Sequence, residues 1–344
     1  MNRIQYKDVR AIAVVPSTYG TVKYLIGDFN TLKKKQENLD SYESAVKIQD
    51  DSMESRVLKK IRKYPSSPQC RLLSTVQQNT LYIINGGMEL NTSSIEQLIH
   101  SFASINDWLE KNNIHIGIIR GTNDDPSLFN RKPIHFSNVK MYDDCTIASI
   151  EDKNILCIGG GCSIDKSWKI NKEKYSAYRM YYAIDEHPTF SLCDIENFLK
   201  ENDVTLVVSA LAPTFVGESY SSMKSNKWLK NDNEGLEEIS AQRIRMDELY
   251  TLMIKNGICP KRWYVLPSFS NSDFFNEYND IGFVIQSFNK IGTYKIETPN
   301  KNTFENAEGR TWVKTLSPSF FGTTIEVQEQ RAMNNAFRYV DING

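Results

Sequence analysis

The 344-residue sequence lacks several features that would classify it quickly. It has no apolar run near the roughly 18 residues of a membrane-spanning helix, so a membrane protein of that kind is excluded. Neither charge dominates: 41 Lys+Arg against 42 Asp+Glu leave a formal net charge of −1. No global field would then draw the chain onto nucleic acid or an anionic bilayer, and general nucleic-acid binding is not expected. Six cysteines (70, 145, 157, 162, 193 and 259) form no C-x-x-C pair. A chain this long does not need disulfide staples, so the cysteines read as reduced thiols in a reducing compartment. The stretch Ala11–Val15, behind Arg3, Lys7 and Arg10, is too short for a signal-peptide core and is ended by Pro16; a cytoplasmic location is expected. There is no G-x-S-x-G elbow, no phosphate-binding G-x-x-x-x-G-K-[ST], no internal repeat and no low-complexity tract.

What is present is core material. Sixteen Phe, 17 Tyr and 5 Trp within a 40% hydrophobic composition exclude wholesale disorder. Short β-branched runs at Ala11–Val15, Leu81–Ile84, Ile114–Ile119, Ile155–Ile158, Thr205–Val208, Trp263–Leu266 and Gly282–Ile285 predict strands, several buried on both faces. Helical spacing predicts helices over Ser94–Lys111, Leu192–Glu201 and Glu237–Asn256, with Asn91, Thr92 or Ser93 capping the first and Ser191 the second. Strands alternating with helices give an α/β class. Residues 31–72, with the Lys33–Lys35 run, and residues 222–236 read as solvated insertions. From about Thr293 the periodicity fades until Val327–Val340, which marks 293–344 as an extension that docks on the main domain (1–292) or on another chain.

Five of the predicted strands open into Gly-, Pro- or Ser-containing loops, where α/β sheets build their sites. The corners read Val15-Pro16-Ser17-Thr18-Tyr19-Gly20, Ile84-Asn85-Gly86-Gly87, Ile119-Arg120-Gly121-Thr122-Asn123-Asp124-Asp125-Pro126, Val208-Ser209-Ala210-Leu211-Ala212-Pro213 and Leu266-Pro267-Ser268-Phe269-Ser270. In this order they resemble the calcineurin-like metallophosphoesterase family, particularly its small bacterial and phage-type members. The stretch Gly159-Gly160-Gly161-Cys162-Ser163-Ile164-Asp165 is similar to a further segment of that subgroup. The resemblance spans about residues 11–290 and implies a four-layer sandwich, two mixed β-sheets face to face with helices outside. It also implies where two divalent metals would be held.

At those positions this chain has Ser17, Tyr19, Gly87, Thr122, Asn123, Ala210, Ser268 and Ser270 in place of the family's carboxylates, amide and imidazoles. Neutral hydroxyls and amides are poor substitutes for such ligands, and Gly87 and Ala210 offer no side-chain donor. Joint loss of cations and anionic ligands leaves a neutral pocket without mutually repelling carboxylates. The resemblance therefore implies a pseudoenzyme with no catalytic residue, no metal and no cofactor. It would act as a binding or structural module with a protein partner or a second copy of itself, and the phage-type likeness points to a virion or assembly component. The alternative is a residual or repurposed phosphoesterase, or a nucleotide-binding sensor, with Asp124 as the remaining carboxylate.

Other candidates have plainer readings. Gly159-Gly160-Gly161 reads as a tight turn, and Cys157 and Cys162 as buried thiols, since no histidine is near them in sequence to complete a zinc site. His100, His115, His135 and His187 all lie outside the corners, and His187 reads as a surface residue of a charged loop. Asp124-Asp125-Pro126 reads as a turn and helix start, Asp165 as a partner of Lys166 or Lys169, and Glu89 as the other nearby acid. Tyr175, Tyr178, Met180, Tyr181 and Tyr182 read chiefly as core or lid packing over the cleft, with a partner-binding surface as the second reading.

Overall fold

The structure is a computed structural model that describes residues 1–16, 33, 78–86, 95–174, 185–217, 220–266, 274–285, 291–295 and 313–316. Residues 220, 274–276, 291–295 and 313–316 are described by backbone alone. Thirteen described strands form two sheets. The seven-stranded sheet runs β1(Asn2–Tyr6), β6(Cys145–Ile150), β7(Lys153–Ile158), β8(Leu206–Ser209), β9(Arg262–Val265), β11(Ile281–Ile285) and β10(Phe274–Tyr278). The six-stranded sheet runs β13(Val313–Leu316), β12(Ile291–Lys295), β2(Ala11–Pro16), β3(Thr80–Asn85), β4(Ile114–Ile119) and β5(Val139–Met141). Both are mixed. β2, β3, β4 and β5 are parallel in sequence, as are β7, β8, β9 and β11, while the β6–β7, β10–β11, β2–β12 and β12–β13 pairs are antiparallel.

Side chains alternate across a strand, so each central strand serves two cores. Ile12 and Val14, Leu81 and Ile83, Ile155 and Cys157, and Leu206 and Val208 meet in the layer between the sheets. The alternate residues Ala13, Val15, Tyr82 and Ile84 face the helices α1(Ile95–Ala103), α2(Asn106–Lys111) and α3(Pro126–Arg131). On the other side, Leu156, Val207, Trp263 and Phe283 pack under α5(Leu192–Leu199) and α7(Asn233–Lys255). The short helices α4(Lys166–Lys174) and α6(Tyr220–Lys224) complete the set. This is the expected α/β sandwich of two mixed sheets flanked by helices.

Two local expectations change. The helix expected over Ser94–Lys111 is broken between α1 and α2: Ser101 Oγ donates to Gln97 O, Ser104 Oγ donates to Ser101 O, and Ile105 N bonds back three residues to Phe102 O. Serine hydroxyls competing for helix carbonyls favour such an end. Residues 222–236 are only half solvated, because Met223, Leu229 and Leu236 are buried in the helix-side core while Trp228 is exposed. Of residues 31–72 only Lys33 is described, donating to Ser104 O at 2.9 Å; the rest of that insertion and Tyr175–Tyr182 lie outside the described residues. β12, which straddles the start of 293–344, and β13 within it lengthen the six-stranded sheet beside β2. No described helix is long and apolar enough to cross a membrane.

Candidate functional site

The carboxyl ends of strands from both sheets converge. Asn85, at the end of β3, donates from Nδ2 to Ser209 O at the end of β8, 3.0 Å away across the sandwich. Gly86 follows with φ +71°, and a methyl there would come 2.8 Å from Leu266 Cδ1 and 3.2 Å from Gly121 Cα. The left-handed angle and the close approach both require glycine. Gly160 N donates to Arg120 O at 2.8 Å. A methyl on Gly161 would lie 2.6 Å from Thr122 Cγ2 and 3.6 Å from Ala210 Cβ. Ser209 is fixed by a bond from Trp263 Nε1 (2.8 Å) and by its own donation to Leu211 O (2.6 Å). Four of the five corners, and the glycine run, thus meet at one end of the sandwich.

Of the residues singled out from the sequence, Thr122 and Ala210 are brought together here, closed over by Gly161. Asn123 is buried beside them. Asp124 is 1% exposed and accepts from Gly121 N at 2.6 Å through Oδ2, so that oxygen braces its own turn. Asp125 caps α3 by accepting from Ser127 N at 2.9 Å, with Pro126 in the first helical turn, as the turn-and-helix-start reading requires. Asp165 pairs with Lys169 at 2.9 Å. Ser17, Tyr19, Gly87, Glu89, Ser268 and Ser270 lie outside the described residues. Among the described residues at these corners, Thr122, Asn123, Ala210 and Gly161 carry no ionisable group, and the buried Asp124 and Asp125 each brace a turn.

Beside this pocket lies a cluster that sequence reading missed. Cys162 follows Gly161 directly, and its Sγ lies 3.8 Å from His187 Nε2, 25 residues away in sequence. The same nitrogen is 2.9 Å from Glu238 Oε1 on α7 and 3.1 Å from Lys166 Nζ, and Lys166 pairs with Glu238 at 2.5 Å. The fully buried Glu186 accepts from Ser163 N at 2.9 Å and from Ser163 Oγ. Burial pushes the Glu186 carboxyl up to about 7, against the lowering effect of the Ser163 bonds and of Lys166 and Lys169. Burial raises the Cys162 thiol well above its ordinary value, with Glu186 adding to the effect. Burial, followed by the Lys166 charge, lowers the His187 ring below its ordinary value, while Glu238 opposes them. His187 is therefore not the surface residue expected: its side chain is 29% exposed and held among charged partners. Cys162 is the buried thiol expected, but the fold brings His187 to its sulfur although no histidine is near it in sequence.

Arg120 makes this assembly. It is 2% exposed, reaches Asp144 with Nε (2.8 Å) and Nη2 (2.6 Å), and donates to Asp185 O and His187 O, each at 2.8 Å. Gly161 N donates to Glu186 O at 2.6 Å. One buried guanidinium thereby fixes the loop that carries Glu186 and His187 against the glycine run. The available signal was an arginine placed between a buried strand and a glycine, where a buried charge demands partners.

No family model and no curated protein matches the sequence. Among solved structures the chain is similar to the cold-active protein-tyrosine phosphatase of a psychrophilic Shewanella species, at 13% identity and a TM-score of 0.34, over 92% of this chain and 82% of that one. It is also similar to a candidate 5'-nucleotidase from Staphylococcus aureus, at 13% identity and a TM-score of 0.38, over 94% of this chain and 57% of that one. Overlaps at these TM-scores define no shared chemistry.

Proposed function

We propose that the chain is a non-catalytic binding or structural module on a metallophosphoesterase-like scaffold. The observation that carries this reading is the donor set at the converged corners: Thr122 and Ala210 close against Gly161, and an Asp124 oxygen braces its own turn. Two divalent ions held close together need several carboxylates and imidazoles, and of these side chains Asp124 alone is a carboxylate, with one oxygen engaged by its own turn. In this reading the scaffold contributes shape and surface, and its partner is a protein, either a second copy or another component of a phage-type assembly in the producing cell. Trp168 and Trp228, each 38% exposed with ring centroids 5.9 Å apart, offer apolar contact area of the kind that protein interfaces use.

The test is hydrolysis of a phosphodiester in the presence of Mn²⁺, together with light scattering on the purified protein. No turnover above the buffer rate, and a mass above that of one chain or capture of a defined partner, are expected. Manganese-dependent turnover abolished by Asp124→Asn would overturn the reading in favour of a residual phosphoesterase.

A further inference from the structure

We propose that Cys162, Glu186 and His187 form a binding site for one zinc-like divalent cation, separate from the converged corners and independent of the function proposed above. Their ligand atoms, a thiol sulfur, a carboxylate oxygen and an imidazole nitrogen, all lie within 4.8 Å of one another. Tetrahedral zinc with bonds of about 2.0–2.3 Å places neighbouring ligand atoms about 3.3–3.6 Å apart. The Sγ to Nε2 distance of 3.8 Å is already close to that spacing. The remaining edges close with side-chain shifts of roughly 1 Å. Sulfur and imidazole donors select zinc over magnesium or calcium, which prefer all-oxygen sites.

Two further features support the site. The first is an anion at the site: Glu238 Oε1 holds the Lys166 ammonium and lies 2.9 Å from His187 Nε2, ready to face a cation that displaces that ammonium. The second is charge balance. Zn²⁺ with the Cys162 thiolate and the Glu186 carboxylate sums to zero, and the displaced Lys166 ammonium still neutralises Glu238. The thiol proton, together with the proton of Glu186 when that carboxyl is protonated, leaves to solvent as the metal bonds form. Arg120 and Ser163 supply the outer support such a site needs, since they hold the backbone and carboxylate in place before any ion arrives. A Cys–His–Glu catalytic triad fits less well, because sulfur and the Glu238 carboxylate both approach the same ring nitrogen. Three protein ligands leave the fourth position to water or to Glu238.

The experiment titrates Zn²⁺ and Co²⁺ into chelator-treated full-length protein in which Cys70→Ser, Cys193→Ser and Cys259→Ser leave only the buried Cys145 and Cys157 beside Cys162. Competition with a chromophoric chelator reads zinc affinity, and absorbance reads the thiolate-to-cobalt charge-transfer band. One zinc per chain and a cobalt band are expected. Cys162→Ser should abolish the band and weaken zinc by about a hundredfold or more. Lys166→Met, which removes the competing ammonium, should tighten zinc by about tenfold. That gain keeps the test decisive even where Cys162→Ser folds poorly, because a purely structural lysine would leave zinc affinity unmoved. Zinc affinity no higher than that of Cys162→Ser/His187→Ala, or unchanged in Lys166→Met, would overturn the proposal. Manganese-dependent phosphodiester turnover bears on the corners alone and leaves this site untouched.

Discussion

Replacing Arg120 with methionine tests how the candidate site is held together. The side chain makes two bonds to Asp144 and one each to the carbonyls of Asp185 and His187, all of them buried or nearly so. Methionine keeps much of the volume and removes every donor. Asp144, whose side chain is 10% exposed, would then retain the Thr189 N–H at 2.9 Å, and two carbonyls would lose a charged donor. Breaking a buried ion pair by deleting one partner costs about 3–5 kcal/mol, a large share of a stability of about 5–15 kcal/mol. Arg120→Met/Asp144→Leu removes the orphaned carboxylate as well, so it should cost less than the sum of the two single changes, with a coupling of about 2–3 kcal/mol. Urea unfolding followed by tryptophan fluorescence measures all three variants. A loss below about 1 kcal/mol for Arg120→Met, or strictly additive single losses, would show that the clamp is not what orders this corner.

Three other perturbations probe the frame. A methyl on Gly117 would overlap the ring of the fully buried Tyr142, whose hydroxyl is 2.6 Å from that of Tyr6; Gly117→Ala should cost about 1–3 kcal/mol or more in thermal melts, and Tyr142→Phe should not rescue it because ring carbons clash too. Asp125→Ala should lose about 0.5–2 kcal/mol with the α3 cap, whereas Asp125→Asn should keep most of it, as read by urea midpoints. His115 is held below its ordinary value by burial and then by the Lys140 charge. Below about pH 6.5 the unfolded chain therefore binds the proton that the native ring resists, and stability is lost as pH falls until the native ring also titrates. His115→Gln should flatten that part of the pH–stability curve, and an unchanged curve would contradict the assignment.

The central strands were legible because they are buried on both faces and so read as unbroken apolar runs. Six described strands were missed, and three of them have other patterns: Asn2–Tyr6 carries polar Asn2, Arg3 and Gln5 at an edge, Val139–Met141 is three residues long, and Cys145–Ile150 is diluted by Thr146, Ala148 and Ser149. The Ser191 cap and the Asp125-Pro126 helix start were readable because both are decided within a few residues. The Cys162–His187 contact was not, because it depends on Arg120 bonding to backbone 65 and 67 residues further along the chain. Local spacing carries no record of such a clamp.

Each sheet takes strands from early and late in the chain: β1 pairs with β6 and shares its sheet with β11, while β2 lies between β3 and β12. No single cut between β4 and β9 yields a piece containing a finished sheet. A ribosome releasing this polypeptide would have to expose most of it before either layer could close, and folding dominated by such distant pairings is slow. Fragments made by limited proteolysis should consequently stay associated or unravel together, not survive as autonomous halves.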